Sequence, residues 1–259
     1  MNELRLIDCH AHTSDLSYCC DPGITPQTYL ELLADRPDLE AVAITNHGFA
    51  AYSVNREEAF AAAYMVNPAL FDDKREFGNA RIETHLREME PLRGRGLLTG
   101  LEVEMLPDGR LTVDDRFRPR LDVLIGSVHF LPEASAPERV LEVWWAHTER
   151  LLGTGIDILG HPFRWLHRNA GVIIDDRMVR HLVELAKKHG VALEINSHML
   201  IPSDLEMAKT CAATGVPLAF GSDAHCLEEM GILDYHRHLL TVSGLDLATL
   251  PLWKPRPRG

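Results

Sequence analysis

The residues that could do chemistry in this chain stand in short knots: Asp8, His10 and His12; Asn46 and His47; Glu102 and Glu104; His129; His161; Glu194 and Asn196; Asp223 and His225. Along an extended strand successive side chains alternate faces. His10 and His12 can therefore reach one cation together, as can Asp223 and His225, while Cys9 and Ala224 face elsewhere. Imidazole and carboxylate donors at that spacing ligate a metal without distortion, and the mixture suits zinc, manganese or iron. A single HxH pair carries little weight, because histidines also serve as satisfied core residues. The set carries it: six of the 14 histidines (10, 12, 47, 129, 161 and 225) fall at these few junctions.

Something must bring these knots together. Seven short, nearly all-apolar runs, 4–9, 41–45, 97–103, 123–128, 156–160, 191–195 and 217–221, read as strands covered on both faces. Each knot falls at the end of one run. Helical periodicity follows most of them: a Thr25-Pro26 start leads into Tyr29, Leu30, Leu32 and Leu33, and apolar stripes occupy 137–152 and 175–189, with a shorter helix at 205–214 stopped by Gly215. Repeated βα units imply a parallel sheet, and in a parallel barrel all strand C-termini converge on one face, where the active site is built. One α/β domain over 1–250 is expected. A helical insertion at about 48–96, long enough to form a lid, interrupts it, 105–113 reads as a hairpin around Pro107-Asp108-Gly109, and 251–259 has no regular pattern.

Composition narrows the function. With 46% hydrophobic residues over 259 positions, a full core can be buried. The formal net charge of -12 disfavours a surface that neutralises nucleic-acid phosphates, so a nucleic-acid partner is not expected. Five cysteines (Cys9, Cys19, Cys20, Cys211 and Cys226) without CxxC spacing speak against a disulfide framework. No apolar run approaches the ~20 residues of a membrane span, and the reading is a reduced, cytoplasmic protein, free of the membrane. There is no GxSxG elbow, no phosphate-cradling glycine loop, and no strand-end lysine of the kind many amidohydrolases carbamylate. The remaining histidines at 85, 147, 181, 189, 236 and 238 lie on or beside helical stretches, where solvated or helix-terminal roles are expected. His167 and His198, in loops past strand ends, read as loop-packing residues that are close enough to touch a substrate.

The ordered motifs Asp8-Cys-His10-Ala-His12, Thr45-Asn46-His47, Gly100-Leu-Glu102, Ser127-Val-His129, Gly160-His161-Pro162 and Gly221-Ser-Asp223-Ala-His225 resemble those of the PHP (polymerase and histidinol phosphatase) superfamily over nearly the whole chain. The resemblance implies a distorted (β/α)7 TIM-like barrel and two or three divalent ions. By its pattern His10, His12, Glu102 and Asp223 hold one ion, Glu102 bridges to a second held by His129 and His161, and His47 with His225 hold a third. A further ligand for the third comes from the loop after the first strand. Asp21 is the choice here, with Cys20 and Asp15 as alternatives. Asn46 departs from the family's usual aspartate, which removes an outer charge. Asp8 is expected to orient a ligand histidine, and Arg164 is a candidate to grip a phosphate oxygen.

The activity this implies is metal-dependent hydrolysis of a phosphate monoester on a small phosphorylated metabolite by a metal-activated hydroxide. Two other functions stand beside it: a phosphodiesterase or nuclease acting on nucleotides, and a non-catalytic metal-binding PHP domain. Neither substrate identity nor oligomeric state is written in the sequence.

Overall fold

The computed structural model describes residues 5–131 and 137–255. Among these, seven parallel strands form one sheet in sequence order: β1 Leu6–Ala11, β2 Leu39–Ile44, β3 Leu97–Val103, β4 Val123–Gly126, β5 Ile158–Leu159, β6 Ala192–Asn196 and β7 Leu218–Gly221. Each follows one of the seven apolar runs, shifted at the edges. β1 runs two residues further than its apolar stretch, because its polar end pairs with β2. There three steps on β1, Asp8 to Ala11, face two on β2, Val42 to Ile44, so β1 carries one extra residue. Such a bulge bends a strand and re-aims its side chains, here at His10.

The sheet curls until β7 meets β1. An isolated parallel bridge joins Ala11 to Ala224, and the Asp223 N–H donates to the His10 carbonyl at 2.7 Å. Inside the barrel, Cys9, Ala43, Val123, Ile125, Ile158, Ala192 and Ala219 form an apolar core closed at the bottom by Trp253. Although the sequence shows no pattern after 250, the chain there lies along β7. Leu218 N–H donates to the Pro251 carbonyl at 2.8 Å, and Trp253 N–H to that of Leu218 at 2.8 Å.

The helices cover the outside. In Pro26–Asp35, Thr25 and Thr28 cap each other, side chain to backbone. Asp176–His189 starts on the Asp175 carboxylate, which accepts the Met178 N–H at 2.9 Å, and ends on Gly190 in the left-handed conformation at φ 69°. A further helix, Asp234–Ser243, packs His236 into the core with Nε2 2.7 Å from the Ile195 carbonyl. The hairpin at 105–113 is a tight reversal with one antiparallel bridge, Met105 to Leu111, rather than two strands.

The 48–96 segment forms helices Gly48–Ala51, Arg56–Ala61, Ala69–Asp73 and Arg75–Met89. It leans on the loop after β1, where Arg81 Nη1 donates to the Tyr18 hydroxyl at 2.9 Å and to the Ser53 carbonyl at 2.8 Å. His85, His147 and His236 correct the expectation of solvated helix histidines, since all three are buried. Burial pushes each imidazole down to about 4. No helix among the described residues is long and apolar enough to cross a membrane.

Candidate metal centre

The barrel mouth collects the knots. The Glu102 carboxylate, 1% exposed, stands at the centre. Its Oε2 lies 2.6 Å from His47 Nδ1 and its Oε1 2.9 Å from His161 Nε2 and 3.6 Å from His129 Nε2. On the β1–β7 side, His10 Nε2 is 3.1 Å from His12 Nε2, 3.5 Å from Glu102 and 3.6 Å from Asp223. His12 Nε2 is 3.0 Å from Asp223 Oδ1 and 3.8 Å from Glu102.

Each of three rings is held by its other nitrogen. His10 Nδ1 donates to Glu194 at 2.8 Å, His129 Nδ1 to Glu104 at 2.5 Å, and His225 Nδ1 to the Asp223 carbonyl at 2.6 Å. Those bonds fix the tautomer and leave the Nε2 lone pairs turned inward, the arrangement by which carboxylates orient metal-binding imidazoles.

This donor set fits cations. Donors bound at about 2.1 Å to one tetrahedral ion stand about 3.4 Å apart. The five measured pairs among His10, His12, Glu102 and Asp223 span 3.0 to 3.8 Å. Glu102 Oε2 and His47 Nδ1 are both buried and share no hydrogen bond despite their closeness. Lone pairs crowded this way need a positive charge between them, because a buried unpaired polar atom is costly. Further groups with all ligand atoms within 4.8 Å of one another are His12, His47 and His225; His47, Glu102 and His129; and Cys19, Cys20 and His225.

The two central carboxylates stay charged. Burial alone would raise the Glu102 carboxyl, but His129, His10 and His47 outweigh it and hold the group well below the ordinary range. Asp223 is likewise held low against burial by His10, His12 and His225. His12 is pushed down to about 3 by burial and by His47, so its nitrogen keeps a free lone pair.

Two residues of the cluster have strained backbones: His161 at φ 25° and Asp223 at φ 52°. Such conformations persist where the surroundings impose them. Glu194 Oε2 accepts the His161 N–H at 2.5 Å, and the His10 carbonyl accepts that of Asp223. Glycine at 221 makes room for this bracing, since a Cβ there would overlap the Glu194 carboxylate and His10.

The nine residues read as ligands divide as follows. His10, His12, His47, Glu102, His129, His161, Asp223 and His225 meet at one mouth, whereas Asp21 is exposed, and its backbone N–H donates to the His225 carbonyl at 2.9 Å. Cys19 lines the site in its place. Asp8, expected to orient a ligand histidine, reaches His10 through the backbone, its Oδ1 accepting the His10 N–H at 3.4 Å. It accepts the Ser222 N–H at 2.9 Å and the Ser222 hydroxyl at 2.7 Å, bracing the turn that carries Asp223, and burial raises it to about 6.

The orienting work falls to Glu194 and Glu104, which the sequence shows only as strand-end acids. Asn46, in place of an acid, accepts from Thr13 N–H at 2.7 Å and Ser17 Oγ at 3.0 Å, and Ser17 Oγ sits 3.3 Å from His12 Nδ1. Arg164 Nη1 approaches Asp223 Oδ2 at 3.4 Å. His198 pairs with Glu229 at 2.8 Å and faces the site.

The cluster opens into a cavity of about 280 Å³ that Arg164, His129 and Phe60 share with an outer one of about 400 Å³, walled further by Phe130, Trp165 and Arg168. A larger cavity of about 530 Å³, bounded by Asp108, Arg110 and Arg118, contains none of these histidines.

The sequence model of the PHP domain matches residues 8–198. The chain belongs to the PHP domain family. Among curated proteins, this PHP chain is 28% identical over 253 residues to a "Probable phosphatase" of Caldanaerobacter subterraneus subsp. tengcongensis, covering 92% of this chain and 84% of that one. It is 33% identical over 168 residues to one of Vibrio vulnificus strain YJ016, 60% of this chain and 62% of that. It is 31% identical over 157 residues to the Bacillus subtilis DNA polymerase/3'-5' exonuclease PolX, 57% of this chain but only 26% of that longer protein. The PHP barrel also resembles the crystal structure of histidinol phosphate phosphatase from Lactococcus lactis, solved with zinc, L-histidinol and phosphate. The TM-score is 0.57 and the identity 15%, with 94% of this chain and 95% of that one covered.

Proposed function

We propose that this chain, a phosphoesterase by family and fold, cleaves phosphate monoesters of a small metabolite with two or three divalent ions. One observation carries the reading. A buried nest of inward-facing imidazoles and carboxylates around Glu102 opens into a cleft that has a guanidinium, Arg164, at its threshold. His10, His12, Glu102 and Asp223 hold one ion; Glu102, His129 and His161 a second; His47 and His225 a third. Zinc, manganese or iron suits these donors. Such ions supply an activated water and neutralise phosphoryl oxygens.

The chain's own residues do the rest. Glu194 and Glu104 keep His10 and His129 in the tautomers that face inward. Arg164 offers hydrogen bonds to a phosphate oxygen from the boundary of the two cavities. The outer cavity receives the organic part of the substrate between Phe60, Phe130 and Trp165, aromatic walls that exclude water. Its size, about 400 Å³, matches a small molecule rather than a polymer groove.

The test is hydrolysis of p-nitrophenyl phosphate against bis-p-nitrophenyl phosphate by purified protein with manganese or zinc. Monoester turnover that stops on chelation and returns with metal is expected. Activity that survives exhaustive chelation refutes the metal reading, and preference for the diester refutes the monoester reading.

A further inference from the structure

The loop after β1 brings two adjacent cysteines to the mouth of the barrel, where the family pattern, read on the sequence, offers Cys20 only as an alternative to Asp21 and gives Cys19 no role. Both thiols are free and partly buried. The ligand atoms of Cys19, Cys20 and His225 lie within 4.8 Å of one another, and Cys19 shares the inner cavity wall with His47 and His225. The loop that carries them is fixed. Ser17 is buried against Asn46, the Cys20 N–H donates to the Ser17 carbonyl at 3.2 Å, the Asp21 N–H donates to the His225 carbonyl, and Arg81 ties Tyr18 to Ser53. The same fixing turns the Asp21 carboxylate out to solvent.

Cys19 shares that wall with His47 and His225, whose ligand atoms lie with that of His12 within 4.8 Å of one another, and the Nδ1 of His225 is spent on the Asp223 carbonyl, which leaves its Nε2 to face the wall. An ion held there by imidazoles alone would lack a charged ligand of its own, since Glu102 is shared with His129 and His161.

We propose that Cys19 Sγ is a metal ligand, binding one divalent ion together with His47 and His225, and that the neighbouring Cys20 thiol positions it. A thiolate is a soft donor, so this position takes thiophilic zinc ahead of manganese, while the carboxylate-rich positions around Glu102 and Asp223 remain permissive. The Cys20 ligand atom lies within 4.8 Å of that of Cys19, but Cys19 and not Cys20 lines the inner cavity, which suits a positioning donor rather than a second ligand.

The assignment rests on the metal-dependent reading above, and the test separates the two. Wild-type protein, Cys19→Ala, Cys20→Ala and Cys19→Asp are stripped and reloaded with cobalt(II) or zinc, with circular dichroism of the stripped proteins confirming the fold. The expected wild-type signature is a sulfur-to-cobalt charge-transfer absorption in the near ultraviolet. Cys19→Ala should lose that band and bind one zinc fewer per chain. Cys20→Ala should keep both, and Cys19→Asp should regain the ion without the band.

A band that is missing from the wild type, that survives Cys19→Ala, or that vanishes only in Cys20→Ala overturns the assignment. If the missing band accompanies metal-dependent phosphatase activity, the thiolate assignment alone fails; if no divalent ion binds at all, both readings fail.

Discussion

Glu194→Gln isolates the orienting carboxylate. Glu194 is 1% exposed and bonds two donors at once, His10 Nδ1–H at 2.8 Å with Oε1 and the His161 backbone N–H at 2.5 Å with Oε2. Glutamine has one oxygen, so its amide nitrogen must confront one of those donors. Either His10 loses the bond that fixes its tautomer, or His161 loses the bond that braces its φ of 25°. Removing an orienting partner of a metal ligand weakens metal binding by about 10–100-fold, or roughly 1.4–2.7 kcal/mol. The assay is initial rate on p-nitrophenyl phosphate as a function of free manganese or zinc, paired with calorimetric titration of the stripped protein. The half-saturating metal concentration should rise by that factor, while kcat at saturating metal largely recovers. An unchanged metal dependence in a folded variant would refute the reasoning. A loss of kcat that no metal concentration restores would refute it differently, by giving Glu194 a direct part in the chemistry.

Three further outcomes are expected. Arg164→Ala removes a charge-assisted contact of about 1.5–3 kcal/mol, so kcat/KM for monoesters should fall by about 10–100-fold with metal content unchanged; equal rates would remove Arg164 from phosphate binding. His85 is neutral in the fold, pushed down to about 4 by burial, whereas the unfolded chain titrates near its ordinary 6.5. The stability it contributes is full above 6.5 and is lost as pH falls toward 4, by up to about 3 kcal/mol, so denaturation of His85→Leu should show a flatter loss across that window than the wild type. Trp253→Ala empties the base of the barrel and should cost about 3–5 kcal/mol, read as a lower urea midpoint with an unchanged slope; a stability within 1 kcal/mol of the wild type would mean the barrel does not depend on that plug.

Much of this was legible in the residues. The two-residue spacing of His10–His12 and Asp223–His225 fixes a common direction on any strand, and parallel topology sends every strand end to one face. Glu104 and Glu194 were also visible as strand-end acids, but which imidazole each one holds depends on how far the sheet curls, and no local pattern records that. The loop after β1 offered Asp15, Cys20 and Asp21 as candidate ligands. Its course is set by Asn46 and Arg81, partners distant in sequence, and the result brings Cys19 inward instead. His85, His147 and His236 sit on helices whose buried faces are decided by what packs against them. Trp253 lies in a stretch without periodicity because a plug needs one large side chain and a few backbone bonds, not a repeating element.

The join between β1 and β7 is made by the same residues that face the cleft. The Ala11–Ala224 bridge, the Asp8–Ser222 bonds and the Asp223–His10 backbone contact are its stitches at the mouth, and residues 251–253 lie along β7 at the base. A cation shared by His10, His12 and Asp223 would thus rivet β1 to β7, residues more than 200 positions apart. Charging the site and cinching the cylinder become a single event, and the reactive rim is where an empty protein should first loosen.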